Sequence, residues 1–187
     1  MSKISWRPGT QIYPGPAVIL TCGDAKENWN MLTIAWVGTI CSDPAMCYIS
    51  VRPERASYPL IVKNMEYTIN LTTRDMAFAT DWVGVRSGRD YDKWKKTGLT
   101  PIEGEMVKSP TIMESPLSIE CRVKEIMKLG THDMFISDVL NVRVDSKFMD
   151  ASGKFDLEKA GLIAYSHGHY YALGEMIGKF GYSVRKK

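Results

Sequence analysis

Residues Asn30–Tyr58 constrain this chain more than any other stretch, because they set two strands and a helix start around polar groups that a buried core does not need. Asn30-Met31-Leu32-Thr33-Ile34-Ala35-Trp36 reads as a strand running on to Thr39. Met46–Val51 reads as a second, with the turn signal Ser42-Asp43-Pro44 between them. The second strand ends in Ser50-Val51-Arg52, and Arg55-Ala56-Ser57-Tyr58 then opens a helix. A hydroxyl, a guanidinium and a helix N-terminus converging on one place suit a phosphate, since all three offer hydrogen-bond donors and positive potential. A phosphate handle beside an apolar strand points to a phosphorylated flat cofactor, and so to a flavin.

The rest of the chain alternates short strands with few helices. Ala17–Cys22 is an apolar run after Pro14-Gly15-Pro16 and reads as a buried strand. Tyr58, Leu60, Ile61 and Met65 fit a short amphipathic helix, with Pro59 tolerable in its first turn. Tyr67–Leu71 returns to strand. Met76, Ala79, Trp82 and Val83 recur at helical spacing, with Thr73 or a neighbour as cap. Gly84–Pro116 is expected to be irregular apart from a helical turn or two within Asp90–Thr97, stopped by Gly98. Ile119, Cys121 and Val123 alternate as a strand, as do Met134, Ile136, Leu140, Val142 and Val144. Asp138 interrupts the latter, either as a bulge or as a paired carboxylate. Many strands joined by short turns make a small barrel.

The 187 residues suit one domain, and a domain of that size buries roughly 70% of its unfolded surface. A net charge of +3, carried partly by Arg185-Lys186-Lys187, is too small and too scattered for a nucleic-acid partner. Cys22, Cys41, Cys47 and Cys121 form no CxxC pair, and a Cys41–Cys47 redox dithiol lacks that geometry; buried, reduced thiols are expected. Met1–Gln11 lacks a secretory apolar region and no stretch reaches the ~18 apolar residues of a membrane span, so a cytoplasmic protein is expected. His167 and His169 alone make a poor metal site, and no metal site is expected.

Taken in order and spacing, these segments resemble the flavin reductase-like family with an FMN-binding split β-barrel, especially its flavoredoxin-like branch. The resemblance rests on Pro14-Gly15-Pro16, Thr33-Ile34-Ala35-Trp36, Ile40-Cys41-Ser42-Asp43-Pro44 and Ser50-Val51-Arg52-Pro53. It continues through Ser57-Tyr58, Ile69-Asn70-Leu71, Ser87-Gly88-Arg89-Asp90-Tyr91-Asp92-Lys93, Gly130-Thr131-His132-Asp133-Met134-Phe135 and the closing Gly178–Lys187. It implies a mainly β, homodimeric split barrel with a few short helices, residues 1–187 forming a single domain. It also implies bound FMN, with electrons passing from NAD(P)H or another donor to a flavin, iron or protein acceptor. The alternative is a flavoredoxin-type electron carrier reduced by a protein partner, without a nicotinamide site.

The expected site residues follow. Arg52 gives paired, charge-assisted hydrogen bonds to a phosphate. Ser57 is an N-cap, a phosphate ligand, or both, with Ser50, Val51 and Tyr58 beside it. The resemblance sets Thr33, Ile34, Ala35 and Trp36 along the isoalloxazine, Thr33 and Ala35 through their backbones; Trp36 is core, flavin neighbour or dimer contact. Asn70, a polar residue in a strand, meets either the flavin and its ribityl chain or a partner across the sheet. Lys93 reaches the phosphate or the reduced flavin, or else is a solvated helix residue. His132 is the catalytic candidate, near the nicotinamide or the flavin edge, or is structural. No triad or carboxylate pair is present, which fits a protein whose cofactor carries the chemistry.

Overall fold

Apolar side chains at every second position of long antiparallel strands give this chain its barrel. The computed structural model describes residues 1–184, so the Arg185-Lys186-Lys187 tail lies outside the described residues. The strands are β1 (Gly15–Pro16), β2 (Val18–Cys22), β3 (Asn30–Ile34), β4 (Val37–Ser42), β5 (Ala45–Val51) and β6 (Glu66–Leu71). They continue as β7 (Pro101–Ile102), β8 (Thr111–Ile112), β9 (Leu117–Lys128), β10 (Asp133–Val144), β11 (Ile163–Ser166) and β12 (His169–Ala172). Three helices are α1 (Tyr58–Asn64), α2 (Ala77–Val85) and α3 (Lys93–Thr97).

Seven strands form one antiparallel sheet in the order β3-β2-β6-β9-β10-β5-β4. Its two edge strands, β3 and β4, are consecutive in the chain and separated only by Ala35 and Trp36. The strand expected from Asn30 to Thr39 therefore breaks at Ala35-Trp36, where the chain steps from one edge of the sheet to the other. There Ser50 N–H donates to Trp36 C=O at 2.9 Å, extending the β4–β5 ladder one residue beyond the Val37–Ile49 pair. Leu20, Leu32, Ile34, Ile49, Val51, Tyr67 and Phe135 fill the interior. On the outer face, Ile19 and Met31 pack with Met76, Ala79 and Val83 beneath α2. With both faces covered, every residue of β2 is buried, which is why its sequence is nearly unbroken apolar.

Several local expectations hold, with adjustments. Pro59 lies in the first turn of α1, and Met65 closes that helix in the left-handed conformation. Ser57 occupies the N-cap position but makes no side-chain cap bond, so its capping role does not hold. Thr73 does not cap α2 either; Met76 holds the cap position, and Thr73 contributes only its carbonyl, 3.1 Å from Met76 N. Asp92 caps α3 by accepting from Lys95 N at 3.0 Å, and Gly98 ends it at φ 71°. Asp138 combines both readings: β10 carries register shifts on either side of it, and its carboxylate lies 3.9 Å from Lys124.

Asn70 belongs to the core. Its amide donates to Ile19 O and Thr21 Oγ1, at 3.0 and 3.1 Å, and its Oδ1 accepts from Ile112 N and Ser118 Oγ, at 3.0 and 2.7 Å. With donors and acceptor all engaged, it is the cross-sheet partner of the earlier alternative, and its cofactor role falls. The last two strands pair with β1 in a separate sheet, β1-β11-β12. An isolated bridge from Thr73 to Leu162 ties this hairpin to the start of α2. No helix among the described residues is long and apolar enough to cross a membrane.

Candidate functional site

The split between β3 and β4 opens into a cavity of about 440 Å³. Thr33, Ile34, Ala35 and Trp36 line it from the strand break, Ser50, Val51 and Arg52 from the end of β5, and His132 from the start of β10. Register explains the meeting. Asp133 pairs with Val51, so the residue before β10 lies beside the residue after β5, bringing His132 to Arg52. The Trp36 and His132 rings lie 4.3 Å apart, tilted by 40°. Burial, and then the guanidinium of Arg52, hold the His132 imidazole below its ordinary pKa, keeping it neutral around pH 7. Thr131 Oγ1 lies 3.0 Å from His132 Nδ1 and fixes the ring from the other side.

A recess of about 250 Å³ adjoins this cavity, and Leu32, Arg52, Arg55 and Val85 line both. Ser57 and Lys93 lie in the recess with Arg86, Ser87 and Arg89. It therefore collects four guanidiniums and an ammonium against one carboxylate, Glu54, which pairs with Arg52 at 3.4 Å. Arg55 is aimed by a bond to Gly84 O, and Arg89 by one to Glu54 O, each 3.2 Å long.

Lys93 is the unusual member. It is 5% exposed, and its ammonium donates to Met31 O at 2.8 Å and Val83 O at 2.7 Å. Among the described residues it forms no ion pair. Burial, followed by repulsion from Arg55, lowers its pKa to about 8. A buried cation facing a recess without a carboxylate partner is costly unless an anion joins it. Its bond to Met31 O also orients β3. That carbonyl lies on the free edge, away from β2, and the two-residue repeat of the ladder turns the Thr33 amide and carbonyl to the same edge. The Thr33 hydroxyl is spent on Thr80 O, so Thr33 offers its backbone only.

Two expected residues point elsewhere. Tyr58 lines neither space: its hydroxyl donates to the Asp133 carboxylate, and its ring sits edge-on to Phe135 at 5.6 Å. Asn70 is bound up in the sheet, as described above. Lys93 is buried rather than a solvated helix residue. The sequence reading missed Arg55, Arg86 and Arg89 as lining residues, although two arginines flanking Ser87-Gly88 were a visible signal. It also missed Asp81 of α2, and Tyr165 and Tyr170, in the larger cavity; only the return of the C-terminal hairpin brings the two tyrosines there. Burial and the neighbouring Asp81 carboxylate push the Tyr170 phenol up to about 12.

A split barrel whose broken edge strand meets a cationic recess defines a class of flavin-handling proteins, and similarity to known proteins agrees. Residues 10–174 match the family described as Flavin reductase like domain. The chain belongs to that family. Flavoredoxin of Desulfovibrio vulgaris (Miyazaki F) superimposes with a TM-score of 0.90 at 29% identity, over 98% of this chain and 100% of that one. Flavoredoxin from Methanosarcina acetivorans gives 0.88 at 26% identity, over 99% and 100%. A structure with a split barrel domain from Shewanella frigidimarina NCIMB 400 gives 0.80 at 23% identity, over 90% and 86%, and supports the fold alone.

Proposed function

We propose that this protein binds FMN in the split and works as an oxidoreductase, passing electrons from NAD(P)H or another donor to an acceptor. The observation that carries the reading is Lys93, a buried ammonium with no carboxylate partner among the described residues, in a recess shared with Arg52, Arg55 and Ser57. A phosphate monoester is the group such a recess lacks. The free edge of β3, with the Thr33 backbone amide and carbonyl, together with Trp36 and His132, would hold the isoalloxazine ring. When bound, FMN supplies the redox chemistry. The protein orients the ring, keeps a neutral imidazole beside it and limits water.

The flavoredoxin likeness favours a second reading, an electron carrier that keeps FMN and is reduced by a protein partner. In both, the chain acts in the cytoplasm and pairs as a homodimer. Apolar side chains exposed along both terminal segments, Trp6 and Ile12 at one end and Met176, Ile177 and Phe180 at the other, favour such a partner.

The experiment is anaerobic. FMN-loaded protein is mixed with NADH or NADPH in a stopped-flow instrument while the long-wavelength flavin band is followed. Fast bleaching is expected of the reductase. A band that only dithionite or a redox protein bleaches makes the protein a carrier, and failure to bind FMN at all removes both readings.

A further inference from the structure

Four polar side chains meet inside the apolar barrel, one from each of four neighbouring strands: Tyr67 of β6, Cys121 of β9, Ser137 of β10 and Cys47 of β5. All are buried, and none lines the larger cavity or the cationic recess. The Cys47 and Cys121 sulfurs lie 3.5 Å apart. The Tyr67 hydroxyl sits 3.7 Å from Cys47 Sγ and donates to Ser137 Oγ at 2.8 Å. Register brings the group together, since Cys47 pairs with Ser137 and Tyr67 with Cys121. The ladder between β10 and β9 also slips between Ile136 and Ser137, so the strand separating the two cysteines is irregular at the residue paired with Cys47. The remaining thiols stand apart, Cys22 against Asn30 O and Ser57 O, and Cys41 against Asp43 O.

Thiols are weak donors and acceptors, so burying two of them in contact returns little hydrogen-bond energy. The arrangement does give two sulfurs the proximity that a disulfide requires. We propose that Cys47 and Cys121 are a modification site for hydroperoxides, which oxidise the pair in the folded protein to a disulfide joining β5 to β9 behind β10. The Cys47 sulfur, its proton lost, attacks one oxygen of hydrogen peroxide. An S–O bond forms as the O–O bond breaks, and the departing hydroxide takes up that proton as water. The Cys121 sulfur then attacks the sulfenic sulfur of Cys47. An S–S bond forms as the S–O bond breaks, and the hydroxyl leaves with the Cys121 proton as a second water. The thiols give up two electrons in all, and the peroxide gains them. Cys47 leads because it is the more accessible of the two, at 6% against 0%. Its hydrogen bond with Cys121, opposed by burial and aided by Tyr67, also holds its pKa below the ordinary value, while the same contact and burial push Cys121 up. The new bond would span 74 residues and restrict the unfolded chain, so it would act as a reversible staple. The pair acts whether or not FMN is bound.

The test treats the full chain, reduced and then freed of reductant, with a small excess of hydrogen peroxide. Thiols counted in guanidinium should fall from four to two. The intact mass should drop by two hydrogens, and a peptide map should join Cys47 to Cys121. Dithiothreitol should restore every thiol, and the oxidised form should unfold at a higher urea concentration than the reduced one. Cys121→Ala should leave Cys47 as a sulfenic acid that dimedone traps, whereas Cys47→Ala should leave Cys121 a thiol. If either variant fails to fold, the wild-type map decides by itself. A full thiol count after peroxide, a map that links Cys22 or Cys41 instead, or oxygen added to the sulfurs without a cross-link overturns the proposal.

Discussion

In the proposed site Arg52 and Lys93 divide the work of holding a phosphate, and they should fail differently. Arg52 is half-exposed and, among the described residues, tied only to Glu54, so Arg52→Ala should leave the fold intact and weaken FMN binding by about 1.5 kcal/mol, the lower end for a charged hydrogen bond. Isothermal titration reads this directly, and unchanged affinity would remove Arg52 from the phosphate. Lys93 acts through its proton. Its pKa of about 8 lies below the ordinary 10.5, so between those values the unfolded chain holds the extra proton. Stability of the free protein should therefore rise with pH through that window. FMN has the opposite requirement, since its phosphate prefers the charged ammonium. Affinity should fall above pH 8 by up to about tenfold per pH unit, and Lys93→Met should flatten that dependence. A titration series from pH 7 to 10 that is level in the wild type would place the phosphate elsewhere. The sequence marked both positions, but only the structure shows that one is exposed and the other buried against two carbonyls.

At the level of elements, the contact between α2 and β3 shapes the cavity wall. A Cβ on Gly84 would meet the Thr33 Cβ at 3.0 Å, and Thr33 is already tied to Thr80 O of the same helix. Gly84→Val should therefore pry α2 from the strand, costing about 1–3 kcal/mol in urea denaturation and loosening FMN as well. Ser57→Ala should do the reverse. Because Ser57 makes no cap bond, stability should change by less than about 0.5 kcal/mol, while FMN affinity drops by about 1 kcal/mol. A large stability loss with full FMN affinity would return Ser57 to a purely structural role. Such contacts leave faint traces in sequence: a glycine near the end of a helical run looks the same whether it stops the helix or admits a threonine.

For the whole molecule, the exposed apolar termini argue for a partner. Ile4, Trp6 and Ile12, with Met176, Ile177 and Phe180, would be unusual on a lone monomer. Sedimentation equilibrium at micromolar concentration should give twice the chain mass, whereas a monomer would leave those segments without their expected cover. The barrel itself was legible because period-2 alternation and turn residues are local, and β5, β6, β9 and β10 carry both. The break at Ala35-Trp36 was not legible. The apolar run continues through Ala35 into Trp36, a good strand former, and the interruption comes from the placing of β3 and β4 at opposite edges of one sheet.

The local sequence was enough to determine the strand pattern, the Ser50–Ser57 segment proposed to meet the phosphate, and the family likeness, because each depends on neighbours within a few residues. Tertiary structure alone decided what depends on distant pairing. It sent Asn70 into a closed hydrogen-bond set and Tyr58 onto Asp133, buried Lys93 with no counter-ion among the described residues, and brought Asp81, Tyr165 and Tyr170 into the cavity. The physical reason is the same each time. A side chain's partner is fixed by strand order and closure, and residues 51 to 75 positions apart in the chain reach hydrogen-bond distance only once the barrel has formed.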